Sequence, residues 1–158
     1  MPVITEGAFD SLLIDTNLLV LLAVGHYQPR QIPLFKRTCN FTYDDYYLLN
    51  TFANRFKRLV TLPNILTEVS NLLGQLPQKI RVDVFTCLPE MVALFDESYF
   101  DSQQVTSSPL FPKFGLTDAA IALLAKEKHT VLTVDLPLYS RLLGEGIHAI
   151  NFNHLRKK

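Results

Sequence analysis

Four acidic residues that are far apart in the sequence, Asp15, Glu68, Asp118 and Asp135, each lie at or near the start or end of a segment with regular hydrophobic spacing. Asp15 and Asp135 directly follow short apolar runs. In an open parallel sheet, ligands bind beyond the carboxyl ends of the strands. Carboxylates held close together repel one another unless a cation neutralises them. Oxygen ligands without His or Cys suit Mg²⁺ or Mn²⁺, which support attack on phosphodiesters, so the pattern predicts metal-dependent cleavage of nucleic acid.

Three of these acids also have a purely structural interpretation. Asp15 and Asp135 can form Asx turns or helix N-caps at strand-to-helix junctions. Asp118 falls in the first turn of a predicted helix, where a carboxylate interacts favourably with the helix dipole. Taken singly, none of the three requires a metal.

Glu68 is predicted to face inward. On a helix beginning at Asn64, it lies three residues after Ile65 and four before Leu72, along the apolar stripe. A carboxylate on the core side must be paired, protonated or bound to a cation. A salt bridge to a neighbouring Arg or Lys is the alternative to a metal.

The hydrophobic spacing predicts strands alternating with helices, which favours a three-layer α/β/α fold around a central, mostly parallel sheet. Strands are predicted at Ser11–Ile14, Arg58–Leu62, Thr130–Val134 and Ile147–Phe152, and a strand fragment and loop at 100–115. Helices are predicted at about 18–24, 42–59, 64–76, 78–86, 90–97, 118–128 and 137–143. The chain, 1–158, fits a single domain.

Bulk composition limits the protein class. A hydrophobic fraction of 48% and a charged fraction of 19% are typical of a packed soluble domain. The 15 basic and 15 acidic residues balance, so the composition supplies no electrostatic signature of nucleic-acid binding. Two isolated cysteines exclude a zinc-ribbon or disulfide framework. The N-terminal MPVITEGAFD does not read as a secretory signal, no apolar run is long enough to cross a membrane, and a cytoplasmic location is expected.

Four segments resemble the PIN-domain family and occur in the family's order: LLIDTNLLV (12–20), TLPNILTEVSNLL (61–73), GLTDAAIALLA (115–125) and TVLTVDLPL (130–138). The resemblance spans most of the chain. It implies helices around a parallel sheet and a magnesium- or manganese-dependent nuclease, usually acting on single-stranded RNA.

The resemblance also implies roles for individual residues. Asp15, Glu68 and Asp118 match the family's core metal ligands, and Asp135 matches a fourth acid that often acts through water or holds a second ion. The matching supporting polar positions are Asn17 and Thr133. Bacterial members, resembling the VapC group, are often toxins whose active site is covered by a small antitoxin protein.

Two segments depart from a minimal toxin of this type. The stretches at about 26–59 and 78–114 are longer than such a toxin needs, and both are predicted to be enlarged by helices. They are candidates for a substrate groove, a homodimer surface or a partner site. They bear on the toxin assignment more than on the chemistry.

Basic and aromatic residues offer candidate contacts to RNA. Lys113, Arg55, Arg58 and Arg141 are candidates for phosphate contacts, and Lys113 is preferred because it precedes Asp118. Tyr43, Tyr46 and Tyr47 are candidates for base stacking. The alternatives are solvated helix faces and aromatic core packing. The basic tail, 154–158, is expected to be a frayed end.

The leading hypothesis is therefore a divalent-metal-dependent endoribonuclease. The alternative is a catalytically inactive PIN-like module that binds RNA or protein. A phosphatase of the haloacid dehalogenase type is disfavoured because it needs a second acid where this chain has Asn17. Dinucleotide binding is disfavoured because no glycine-rich turn follows the first strand.

Overall fold

The computed structural model describes residues 10–156 and contains a five-stranded, all-parallel sheet. The strands are β1 (Ser11–Ile14), β2 (Arg58–Thr61), β3 (Phe95–Glu97), β4 (Thr130–Thr133) and β5 (Ala149–Asn151). Their order in the sheet is β3-β2-β1-β4-β5, which puts β1 at the centre. All four pairings are parallel, so every strand ends at the same edge, here called the carboxyl edge.

Seven α-helices connect the strands within the described residues. They are α1 (Thr16–Tyr27), α2 (Tyr43–Ala53), α3 (Pro63–Leu73), α4 (Gln78–Val92), α5 (Ser102–Thr106), α6 (Phe111–Ala125) and α7 (Leu136–Gly144). Short 3₁₀ helices add Pro29–Leu34 and Phe152–His154.

The helices form two groups. Helix α1 packs against α2, α3 and α4, and α6 packs against α5 and α7; α6 also contacts α3 of the first group. Parallel crossovers are right-handed, and the strand order reverses its direction after β3, so the two groups cover opposite faces of the sheet. This arrangement confirms the predicted three-layer α/β/α class.

The centre of the sheet is fully buried, as a sheet covered on both faces requires. In β1, the side chains of Leu12, Leu13 and Ile14 have no exposed surface, and in β4 neither do Val131 and Leu132. Burying one such side chain contributes roughly 1.5–3 kcal/mol. These apolar runs therefore fix the two strands that lead directly to Asp15 and Asp135.

The region after β2 differs from the prediction. The two helices predicted at 78–86 and 90–97 are one helix, α4, that continues through Pro89 to Val92. Pro89 is exposed, so water can bond the carbonyl that loses its amide partner, and the break is tolerated. The following residues form β3, because their backbone pairs with β2 in register Thr61↔Glu97.

The interval 100–115 is also helical where a strand fragment and a loop were predicted. Asp101 caps α5 by accepting a hydrogen bond from the Gln104 N–H at 2.9 Å. Helix α6 then begins at Phe111, with Pro112 in its first turn, a position where proline is favourable. Both signals are local to the starts of the helices, and the hydrophobic spacing alone does not reveal them.

Helix α2 begins where its capping residue, Thr42, predicts. Thr42 and Asp45 form a reciprocal capping box at the start of α2. The helix ends at Ala53, earlier than the predicted Leu59, because the chain turns at 54–57 to enter β2.

The C-terminal residues are ordered up to Arg156, contrary to the expected frayed end. Its Nη2 donates to the Asp45 carboxylate at 2.9 Å and to the Asn40 carbonyl at 2.8 Å, and its guanidinium lies 4.9 Å from the centre of the Phe41 ring. The remaining predictions for the chain ends, on 1–9 and 157–158, lie outside the described residues. No helix within 10–156 is long and apolar enough to span a membrane.

Candidate active site

Asp15 lies at the carboxyl edge, between the end of β1 and the start of α1. Its backbone N–H donates to the Leu132 carbonyl at 3.0 Å, which extends the β1–β4 ladder by one residue. One carboxylate oxygen accepts from the Thr16 N–H at 2.7 Å and caps α1, and the other accepts from the Thr133 hydroxyl at 2.7 Å. The side chain is buried and held in one orientation from both sides.

Thr133 joins Asp15 to Asp135. Its hydroxyl donates to Asp15 and accepts from the backbone N–H of Asp135 at 3.0 Å. Asp135 in turn caps α7 by accepting from the Leu138 N–H at 2.9 Å. Thr133 is fully buried, so this bridge is shielded from water. The predicted supporting residue thus couples two of the predicted acids.

Asp118 is brought to the same edge by a break inside α6. At Gly115 the backbone has φ 83° and ψ −178°, a combination that only glycine adopts readily. Helical geometry resumes after Gly115, so Asp118 lies in the first turn of the resumed helix, as predicted. The resumed helix ends at Ala125, not at Lys128. Sequence reasoning assigned Gly115 no role, although a glycine three residues before the acid was the available signal.

Glu68 corrects one prediction. The buried residues of α3 are Ile65, Val69 and Leu73, and Glu68 lies beside that stripe with an exposed side chain. The inward orientation was wrong because the stripe follows i, i+4 spacing and Leu72 is only partly buried. Glu68 therefore meets the other acids from the solvent side and does not need a partner to offset burial.

Electrostatic interactions connect all four carboxylates. Burial raises the pKa of Asp15; the hydrogen bonds from Thr133 and Thr16 lower it, and the charges of Asp135 and Glu68 raise it further. Burial, followed by the charges of Asp15, Asp135 and Glu68, raises the pKa of Asp118 from 3.8 to about 7. The structure thus brings the four predicted acids within electrostatic reach of one another.

The carboxylates have the chemistry that a hard divalent cation prefers, but their side chains are not arranged as ligands of one ion. All four offer only oxygen, and their mutual repulsion is the condition that a cation relieves. Within residues 10–156, however, no three Asp, Glu, His or Cys side chains are grouped as they would be around one ion. Asp15 has both oxygens engaged by hydrogen bonds, while Glu68 is exposed and free to change rotamer. Side-chain movement of this kind is what ion binding would require.

The predicted phosphate-binding cations differ in their positions. Arg55 and Arg58 lie at or before the start of β2, at the edge opposite the acids, and Arg58 is 3.7 Å from Asp96. Arg141 pairs with Glu145 at 3.0 Å. Of this set, Lys113 and Arg141 are near the acids along the chain, and Arg141 lies six residues after Asp135.

Lys113 lies in the first turn of α6, not in the predicted loop, five residues before Asp118. Its ammonium is 5.4 Å from the centre of the Phe114 ring, and the residue is exposed. Asn17, the other predicted supporting residue, is exposed in the first turn of α1.

No protein-family model matches the chain, and a search of curated proteins found no match. The resemblance to PIN domains therefore stays a prediction based on the four motifs and their order.

Proposed function

We propose that the protein is a divalent-metal-dependent endoribonuclease of the PIN type. The observation that supports the proposal best is the raised pKa of Asp118, to which the other three carboxylates contribute after burial. A protein that gathers four acids at the carboxyl edge incurs electrostatic repulsion there. A cation that binds there would offset that cost.

In this proposal Asp15, Glu68 and Asp118 hold Mg²⁺ or Mn²⁺, and Asp135 assists through water or a second ion. When bound, the ion supplies positive charge beside the scissile phosphate and lowers the pKa of the attacking water. Thr133 and the Thr16 N–H keep the Asp15 carboxylate in a fixed orientation, so it needs little reorganisation when substrate arrives.

Asp118 has a separate part in the proposed chemistry. With a pKa of about 7, its carboxyl group is largely protonated in mildly acidic solution. It must lose that proton before it can bind a cation. We therefore expect metal affinity, and with it activity, to rise as the pH increases above the pKa of this group.

The substrate is proposed to be single-stranded RNA. Helices α1 and α7 both begin at the carboxyl edge, and the positive ends of their dipoles favour a phosphate there. Lys113 adds an exposed cation close in sequence to Asp118. An antitoxin that covers this edge is a further part of the proposal, which follows from the resemblance to toxins of the VapC group. A homodimer formed through the enlarged segments at about 26–59 and 78–114 and a cytoplasmic location are also proposed.

The test is cleavage of a labelled single-stranded RNA by the full chain in buffer with Mn²⁺, with Mg²⁺, or with EDTA. Wild-type protein should cut RNA only with metal. Asp15→Asn and Glu68→Gln should each reduce the rate by at least about 100-fold, since each removes charge from the proposed ion site. Circular dichroism should show that both variants remain folded.

Glu97→Gln is the matched control, because Glu97 is an exposed acid at the carboxyl end of β3 that does not affect the pKa of Asp15 or Asp118. It should cleave at the wild-type rate. Cleavage in EDTA, or by Asp15→Asn at the wild-type rate, would contradict the proposal.

The second candidate function is an inactive module that binds RNA or protein. It is favoured by the arrangement of the side chains, because within residues 10–156 no three Asp, Glu, His or Cys side chains are grouped as they would be around one ion. Thermal unfolding with and without millimolar Mn²⁺ separates the two functions. A metal at 100 times its dissociation constant adds about 2.7 kcal/mol of stability, so an unchanged melting temperature would favour the inactive module.

A further inference from the structure

A cavity of about 310 Å³ lies at the edge of the sheet opposite the carboxylates. Leu59 and Phe95, which pair with each other near the starts of β2 and β3, form its floor. Its other apolar walls come from Leu22, Tyr46, Met91 and Leu94. Most of the cavity is therefore built by elements that the carboxylate site does not use.

The two sites lie near opposite ends of α1. Asp15 caps the start of α1, and His26, which also lines the cavity, lies 11 residues later near its end. At 1.5 Å per residue, this places them about 16 Å apart along the helix axis.

Tyr46 forms an aromatic wall that depends on a glycine. A Cβ added to Gly25 would clash with the Tyr46 ring, so the ring rests directly on the backbone of α1. Tyr46 and Phe95 give the cavity two aromatic rings from different elements. Aromatic rings in such a setting stack on planar ligands.

The polar side chains of the cavity are concentrated on α2 and the residue that caps its end. Asn50 and Asn54 lie one turn apart, both are exposed, and neither side-chain amide makes a hydrogen bond to another residue of 10–156. Each amide offers a donor and an acceptor, a pair that matches the ring nitrogen and the amino group of a purine. Glu90, which lies 3.7 Å from His26 and is largely exposed, supplies a further acceptor for an amino group.

From this combination we propose that the cavity binds the base of a purine nucleoside, with the rings on Tyr46 and Phe95 and the polar edge on Asn50 and Asn54. The volume lies at the lower end of ligand sites, which fits a nucleoside. The base comes either from a free nucleoside or from an RNA strand. The chemistry recognised is the same in both cases.

The test is isothermal titration calorimetry of the full chain in EDTA, with adenosine, a short oligoadenylate and phenol as separate probes. Adenosine should bind with a dissociation constant below about 1 mM. Asn50→Ala and Asn54→Ala should each weaken adenosine binding by at least about tenfold, because each removes a hydrogen-bonding pair. Binding should also shift the side-chain amide signals of Asn50 and Asn54 in ¹⁵N–¹H spectra.

Thr51→Ala is the matched control, because Thr51 is exposed on the same helix but does not line the cavity. It should bind adenosine as the wild type does, and so should Asp15→Asn, which keeps this test separate from that of the nuclease. Tighter binding of oligoadenylate, lost in Asn50→Ala, identifies a strand as the source of the base. If oligoadenylate binds no more tightly than adenosine, the base comes from the free nucleoside.

Three results would overturn the proposal. They are no heat of binding with adenosine at millimolar concentration, equal affinity of Asn50→Ala and wild type, and phenol binding as tightly as adenosine. The last would show a merely apolar cavity with no recognition of a base.

Discussion

Replacing Asp118 with asparagine should change the way in which stability depends on pH. The pKa of Asp118 in the folded protein is about 7, above its ordinary value of 3.8. Between these values the folded state retains a proton that the unfolded chain has released. Stability therefore falls as the pH rises from about 4 to 7, and the loss is complete above that range. An asparagine side chain cannot ionise, so the variant avoids this loss.

The size of the effect follows from the pKa difference. A shift of about three units corresponds to a ceiling of about 4 kcal/mol, at 1.36 kcal/mol per unit. Asp118 is only partly buried, and solvent screening reduces such energies, so about 1–2 kcal/mol is the expected loss. For a domain of this size, that corresponds to a fall of about 2–8 °C in melting temperature.

The assay is thermal unfolding followed by circular dichroism in EDTA, at one pH near 5 and one near 8. The melting temperature of the wild type should be several degrees lower near pH 8 than near pH 5. For Asp118→Asn, this difference in melting temperature should be clearly smaller. Asp44→Asn, which changes an exposed acid in the first turn of α2, should behave as wild type. Adding Mn²⁺ at the higher pH should restore the melting temperature of the wild type but not that of the Asp118 variant. Identical pH dependence in wild type and Asp118→Asn would refute the electrostatic reasoning and remove the main support for a shared acid site.

Three further changes test single contacts. Thr133→Val removes the hydroxyl that lowers the pKa of Asp15. The pKa of Asp15 should therefore rise in a carboxyl NMR titration, and the free energy of unfolding should fall by about 1–3 kcal/mol. Thr133→Ser keeps the hydroxyl and should preserve both values. Gly115→Ala places an alanine in a backbone conformation that only glycine adopts readily, so it should lower the free energy of unfolding in urea by about 1–3 kcal/mol. It should cost more than Gly146→Ala, where φ is 74° and space is equally open; equal costs would argue against strain at Gly115. Arg156→Ala should cost about 2 kcal/mol by the same measurement, and no loss would mean that the C-terminal contacts do not stabilise the fold.

The sequence predicted the sheet well where its strands are central. Leu12 to Ile14 and Val131 to Leu132 are continuous apolar runs, as expected of a parallel strand buried on both faces. The edge strand β3 was missed, because Phe95, Asp96 and Glu97 are mostly exposed and pair with β2 alone. Backbone pairing sets β3 and leaves little trace in its side-chain spacing. The other edge strand, β5, is more buried and was predicted.

The positions of the candidate acids could be predicted for a similar reason. Asp15 and Asp135 follow central strands, and the topology of a parallel sheet brings such residues to one edge. The orientation of Glu68 could not be predicted, because one residue of rotation on α3 separates the buried stripe from solvent. The cavity at the opposite edge was not predicted as a site, although Tyr46 was a candidate for base stacking and most of the cavity walls lie in the enlarged segments at about 26–59 and 78–114. Its walls come from separate segments of the chain, and only the folded chain brings them together.

The pairing of β1 with β4 joins residues 118 positions apart, as the Thr133 bond to Asp15 shows. Contacts between residues so distant form late, because a long loop must close before they contribute. The first three strands can associate in sequence, but one edge of β1 then stays open until residues 130–133 arrive. Until that moment Asp15 lacks its Thr133 partner, and Asp118 and Asp135 have no place beside it. A chain in the course of folding therefore has all four acids but not the candidate site, and any cleavage that this site supports would begin only with the complete sheet.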